Sequence, residues 1–225
     1  VLIIAAQCMF EPESDGRQKK TADVNLAKDI TSPQFLLITA GLFSGTFAGL
    51  LVIGNLVPIV RASGLSAGEA VAAVSIFAAG NAAGRITWGH IFDRFGFSSI
   101  PASLILLGSC IAALFLYIPA WSILILIGLI GFGFGGCFVI YASAVSRYFG
   151  VEAFPLLYPL NFLGYGAAGI IGPVIGGGLA DITGSFDSAL ALSVMVLAAA
   201  GVVTTWGLKF FRAKGESEIA WSSEV

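Results

Sequence analysis

Apolar residues along this chain fall into long runs separated by short polar or Pro/Gly joints, near 34–57, 67–91, 99–118, 121–146, 153–180 and 187–211. Each run is about the ~20 residues that a helix needs to cross a hydrocarbon core. The pattern predicts an all-α, polytopic membrane protein with a six-helix transmembrane bundle over 34–211. Residues 1–10, VLIIAAQCMF, carry no basic leader and read as the end of a preceding transmembrane helix. Residues 11–33 begin with EPESDGRQKKTADVNLAKD, which has almost no large apolar side chains and is expected to be a flexible cytoplasmic linker. Residues 212–225 are expected to form a cytoplasmic tail.

Helix boundaries and packing are also legible. Ser66 and Glu69 have the S-x-x-E spacing of a capping box at the start of the second span. Glycines four apart (Gly41, Gly45 and Gly49; Gly80 and Gly84; Gly131 and Gly135; Gly172 and Gly176) form smooth ridges that let helix backbones approach where lipid offers no hydrophobic driving force. GFGFGG matches a dinucleotide fingerprint at Gly131, Gly133 and Gly136, but it lies inside a span with no strand before it, so nucleotide binding is rejected.

Composition agrees with the pattern: 57% of residues are hydrophobic and 11% charged, with mean hydropathy +0.95. Soluble domains run at roughly 45–50% apolar and 25% charged. The net charge of -2 leaves no basic face for nucleic acid, so no nucleic-acid partner is expected. Cys8, Cys110 and Cys137 lie singly in apolar runs without ligand spacing, so neither a metal nor another cofactor is expected. No span holds a His/Asp/Glu cluster or a nucleophile beside a base, so no catalytic residue is assigned and the chain does not read as an enzyme.

Charge distribution sets the expected orientation. Arg17, Lys19, Lys20, Lys28, Arg94, Arg147, Lys209, Arg212 and Lys214 collect on one side, and Arg61 stands alone on the other. By the positive-inside rule the linker and C-terminus are cytoplasmic, in a multi-pass protein of the cell (inner) membrane. Tyr117 and Trp121 are expected at the outer interface, and Trp88 and Trp206 at the inner one. Asp181 and Asp187, flanking an outer joint, read as helix caps.

Arg85 is the one Lys or Arg well inside a span, two turns or about 12 Å before Asp93. An intramembrane Arg costs several kcal/mol unless it faces a wet cavity or a partner. Its guanidinium fork suits a carboxylate, which makes it the lead substrate ligand, with snorkelling to the inner surface as the other reading. Asn81, one turn earlier on the same face, would contact substrate or brace Arg85. His90 lies near Asp93, where solvation is favoured over proton coupling. Asp93 and Arg94 occupy a short joint framed by Gly89 and Gly96, which permit a tight turn.

The segment GNAAGRITWGHIFDRFG resembles the signature loop of the major facilitator superfamily, G-x-x-x-D-R/K-x-G, with Gly89, Asp93, Arg94 and Gly96 at the matching places. Phe97 and Ser98 replace the basic residues that usually follow, as in the weaker copy of a C-terminal half. The linker, the six spans, the GFGFGG run before SRYFG and the GPVIGG segment have counterparts too, with Gly172, Pro173, Gly176 and Gly177 forming a GP-x-x-G-G kink. The resemblance implies the C-terminal half of a twelve-helix carrier whose N-terminal six-helix half is missing. It also implies a conformational latch in which Asp93 pairs with Arg147.

Within the superfamily, N-x-x-G-R-x-x-W-G around Arg85 and LLY…GYGAAGIIGP around Tyr165 resemble the oxalate/formate antiporter-like and monocarboxylate carriers. Those carriers hold an anion with a basic residue at the position of Arg85. The oxalate carriers add a Lys where Tyr165 stands here, so the single cation implies a monocarboxylate. Tyr165 would donate a hydrogen bond or simply pack, and Asn161 precedes it on the same helix as a further substrate contact. The implied function is secondary active transport of a small organic anion by alternating access, with a proton or counter-anion balancing charge. The rivals are a carrier of a drug or sugar and a non-transporting sensor or assembly subunit.

Overall fold

The structure, a computed structural model, describes residues 25–116 and 119–222, with side chains followed as far as Lys209. The stub at 1–10, most of the linker, Cys8, Arg17, Lys19, Lys20 and Tyr117 lie outside the described residues, as do the side chains of Arg212 and Lys214. The described chain is helical from end to end: α1 Leu26–Ile30, α2 Pro33–Gly54, α3 Leu56–Ala62, α4 Ala67–Phe95, α5 Ser99–Ala112, α6 Ala120–Phe149, α7 Phe154–Thr183 and α8 Asp187–Ser222. Single 3-10 turns at Gly96–Ser98 and Ala113–Phe115 flank α5.

Local chemistry accounts for the helix starts. Ser32 accepts from the Phe35 N–H at 3.2 Å, with Pro33 at the first helical position of α2. The capping box forms as read: Ser66 Oγ accepts from the Glu69 N–H at 3.3 Å, and Glu69 Oε2 accepts from the Ser66 N–H at 2.8 Å. At α8 the cap comes from Ser185, whose Oγ accepts from the Asp187 N–H at 3.1 Å. Asp187 lies in the first turn, where its charge complements the helix dipole.

The topology follows from which glycines meet which neighbours. Gly41, Gly45 and Gly49 of α2 face Tyr141, Cys137 and Phe134 of α6, so these helices are antiparallel. Gly84, Trp88 and Gly89 of α4 meet Phe132, Gly136 and Val139, so α4 runs parallel to α6. Gly164, Gly172 and Gly176 of α7 meet Thr39, Phe47 and Leu51, making α7 parallel to α2. Gly96 lies by Arg147 while Leu107 packs on Gly133, so α5 doubles back against α6. Gly108 with Leu197, and Gly201 with Ile105, set α8 antiparallel to α5. The chain therefore passes back and forth between an Asp93 end and an Arg61 end. Among the described basic residues, Lys28, Arg94, Arg147 and Lys209 gather at the Asp93 end and Arg61 at the other.

Among the described residues, five stretches are long and apolar enough to cross a membrane: Pro33–Gly54, Ala67–Phe115, Trp121–Phe149, Phe154–Thr183 and Asp187–Lys209. Ala67–Phe115 contains both α4 and α5, which reverse at Gly96. Apolar side chains fill the interior, with Ile38, Leu104, Ile127 and Ile140 fully buried, yet Ile86, Ile170, Val174 and Trp206 are largely exposed. A helical body that is apolar inside and outside suits lipid, where helices satisfy their own backbone groups.

Five details depart from the pattern reading. The first predicted span breaks at Asn55, whose φ of -117° and ψ of 18° are not helical. The α4 helix runs through Asp93 and Arg94 to Phe95, so Gly89 is a helix-interior residue and the turn rests on Gly96 alone, at φ 58°. Leu26–Ile30 is a helical turn inside the predicted linker, capped by Asn25 Oδ1, which accepts from the Lys28 N–H at 3.2 Å, and α8 continues past 211 to Ser222. Trp88 is not an interface residue: it is buried against Gly136 of α6.

Candidate functional site

The α4–α6 contact positions the central residues. A Cβ on Gly80 or Gly84 would overlap the carbonyl oxygens of Gly128 or Phe132, and one on Gly131 or Gly135 would overlap those of Phe77 or Asn81. The two backbones touch along this line, which fixes the rotation of α4 and hence the direction of Arg85. Its guanidinium carbon lies 4.4 Å from the centroid of the Phe138 ring on α6. Arg85 Nε donates to Asn81 Oδ1 at 3.3 Å.

Asn81 is one turn toward the Arg61 end. The Arg85 side chain thus turns back along α4, as Cα–Cβ bonds of helices do, and away from the Asp93 end to which a snorkelling side chain would run. Arg85 is exposed, and no carboxylate pairs with it among the described residues. One face of the guanidinium is on the ring and Nε is engaged, and among the described residues the two terminal nitrogens have no hydrogen-bond partner.

Beneath Arg85 the aromatic rings form a ladder. Phe138 contacts Tyr165 edge-on at 5.3 Å and Phe162 at 6.4 Å, and Phe162 stacks on Tyr165 at 4.8 Å. Tyr158 follows at 5.5 Å from Phe162, and Phe154 stacks on Tyr158 at 4.9 Å. Phe154, Tyr158, Phe162 and Tyr165 recur at helical spacing on one face of α7. Sequence reasoning singled out Tyr165 but missed Phe138, Tyr158 and Phe162; the spacing on α7 was a readable signal for two of them, whereas Phe138 joins only through the fold.

Asn161 is placed differently. It is fully buried, and its Nδ2 donates to Thr39 Oγ1 at 2.9 Å, tying α7 to α2. Its Oδ1 is buried without a hydrogen-bond partner among the described residues. The carboxamide faces the α2–α7 seam and is not brought together with Arg85. On the same seam, Gly172 meets the Phe47 carbonyl, Gly176 meets Leu51 and Asn55, Gly177 lies near Asn55, and Pro173 packs on Gly54.

At the Asp93 end, a cavity of about 410 Å³ is lined by Phe92, Asp93, Ala142, Ser143, Ser146, Arg147 and Phe154. Asp93 and Arg147 both face it, with no ion pair between them. The Arg147 guanidinium lies 5.9 Å from the Phe92 centroid. A Cβ on Gly96 would stand 3.3 Å from Arg147 Nη1, so the left-handed φ and the close approach both favour glycine there. Arg94 lies over Phe95 at 5.7 Å, and Gly89 packs on Val139. His90 bonds within its own helix, Nδ1 to the Ile86 carbonyl at 3.0 Å. Phe154 belongs to both the cavity and the ladder, so the ladder of rings begins at the cavity wall.

Helices that alternate in direction, an apolar exterior and a cation held on an aromatic floor define an integral membrane protein of the multi-pass type. More particularly, the chain belongs to the Major Facilitator Superfamily, whose family model matches residues 17–222. It is similar to an oxalate:formate antiporter of Oxalobacter formigenes, 28% identical over 187 residues that cover 80% of this chain and 44% of the antiporter. It is also 28% identical over 152 residues to YhjX, an uncharacterized MFS-type transporter of Escherichia coli (strain K12), covering 66% of this chain and 38% of that protein. The chain thus spans less than half the length of these curated relatives.

Proposed function

We propose that this chain is the C-terminal six-helix half of a twelve-helix carrier and forms one wall of a midplane site for a small organic anion, a monocarboxylate, moved by alternating access. The observation that carries this reading is the state of Arg85: exposed, unpaired by any described carboxylate, and held by Asn81 and Phe138 with its terminal nitrogens available. A carboxylate fits those two donors end-on. Tyr165, across Phe138 from Arg85, adds a hydroxyl donor where a second cation would suit a dicarboxylate. Asn161 serves as a brace to α2 in this scheme. The similarity to an antiporter named for oxalate and formate supports a carboxylate cargo.

A proton or a counter-anion balances the charge, and no bond is made or broken, so the protein is a carrier and not an enzyme. The basic Asp93 end faces the cytoplasm of the cell (inner) membrane under the positive-inside rule. The test is flux into sealed vesicles by this chain joined to its N-terminal half. Formate and lactate are expected to be carried, with oxalate about tenfold or more weaker because one of its carboxylates finds no cation. Flux of a sugar or cationic drug without anion flux overturns the reading, and binding without flux favours a sensor.

Asp93 and Arg147, unpaired across the cavity in this conformation, are proposed to pair when that end closes. Asp93→Asn is then expected to slow flux roughly fivefold or more at unchanged membrane abundance, since such couplings are worth ~1–3 kcal/mol. Equal flux by the variant and the parent removes the latch.

A further inference from the structure

Asn55 stands between α2 and α3, buried, with a non-helical backbone. Its own N–H turns to the Val52 carbonyl at 3.2 Å. In a continuous helix that N–H would serve the Leu51 carbonyl, so the break leaves a buried acceptor wanting a donor. The Asn55 side chain supplies it: Nδ2 donates to the Leu51 carbonyl at 3.0 Å and also to the Pro173 carbonyl on α7 at 3.3 Å.

Pro173 is itself a weak point, because it lacks the N–H that would close the preceding turn of α7. The two weak points are fitted to each other. A Cβ on Gly54 would lie 2.8 Å from the Pro173 Cβ, and one on Gly176 would lie 2.5 Å from Asn55 Nδ2. Nearer the Asp93 end the same helix pair is anchored separately by Asn161 and Thr39.

We propose that Asn55 clasps the α2–α3 break to the Pro173 turn of α7, so that these two segments open and close as one unit at the Arg61 end of the bundle. The inference is independent of the cargo assigned to Arg85. It needs the break, the proline and the amide donor together. The Asn161–Thr39 bond gives the moving segments a fixed base.

Hydrogen–deuterium exchange on the chain in lipid nanodiscs tests the clasp. Asn55→Ala is expected to speed exchange roughly fivefold or more in both 52–60 and 170–178, as loss of shared hydrogen bonds lowers the local opening energy. Exchange in 36–44 and 158–166 should be unchanged. Pro173→Ala, which restores the helical N–H, is expected to slow exchange at 52–60 even though it lies on another helix. A rise confined to 52–60 in Asn55→Ala, or one spread evenly over α2 and α7, overturns the coupling. If Asn55→Ala does not insert, Pro173→Ala decides alone, and an unchanged 52–60 segment overturns it.

Discussion

Arg85→Ala is expected to weaken the apparent affinity of the carrier for monocarboxylates about 100-fold or more, because two charge-assisted hydrogen bonds are lost together. Membrane insertion and thermal stability should hold or improve, since the substitution removes a charge from a span and breaks no described ion pair. Arg85→Lys keeps the charge but loses the planar fork and the stacking on Phe138, so recovery should be partial. Phe138→Leu should cost roughly 2- to 30-fold, as a cation–π contact is worth ~0.5–2 kcal/mol. The measurement is flux against substrate concentration for the four proteins at matched abundance. If Arg85→Ala retains the parent's apparent affinity, Arg85 is a bystander and the monocarboxylate reading fails with it.

The second large effect concerns folding. Gly84→Ala is expected to destabilise the bundle by about 3 kcal/mol or more, because the new methyl group would overlap the Phe132 carbonyl on α6. A flexible side chain could swing aside, but a helical backbone cannot move without shifting the whole α4–α6 pair. Gly131→Ala should behave alike, its methyl meeting the Phe77 carbonyl. The control is Gly178→Ala, where no described neighbour lies within 4 Å of the new methyl and removal of a helical glycine should be neutral or stabilising by ~0.5–1 kcal/mol. Thermal unfolding in detergent separates them: a Gly84→Ala transition as high as that of Gly178→Ala would mean the helices are not in backbone contact. Since this contact aims Arg85, anion affinity should fall in Gly84→Ala even where the protein remains folded.

Several features were legible because their causes are local. A capping box needs residues three apart, and Ser66 and Glu69 form it. Apolar run length reports helix length directly, which is why the predicted spans coincide with α2 and α4–α8 to within a few residues in most places. The errors are local competitions that a hydropathy pattern does not weigh. Asn55 breaks a run that is apolar on both sides by taking a non-helical backbone and capping its own helix. Asp93 and Arg94 look like loop residues because they are charged, yet a helix end carries charge easily and only Gly96 needs a special backbone.

The candidate site was legible in part. Arg85 and Asn81 stand out in the sequence because charge inside a span is expensive and a one-turn offset shares a face, and the structure bonds one to the other. Tyr165 came from the resemblance, and the structure sets it in contact with Phe138. The same one-turn spacing offers Asn161, but which seam a helix face enters is not a property of that helix alone, and the fold bonds it to Thr39. Trp88 shows the same limit: its type suits an interface, and the glycine opposite, Gly136, draws it inside.

By itself the sequence determined that this is a helical membrane protein and where most of its helices start, because both depend on composition and on spacing within one helix; the facilitator family came from resemblance, and Arg85 stood out as a charge in an apolar run. The tertiary structure alone decided that α4 and α6 meet backbone to backbone, that Phe138 lies under Arg85, and that Asp93 and Arg147 share a cavity without pairing. It alone also joined Asn55 to Pro173. Those facts depend on the rotation and depth of helices relative to one another. Rotation and depth are set by which small residues on two distant segments happen to fit.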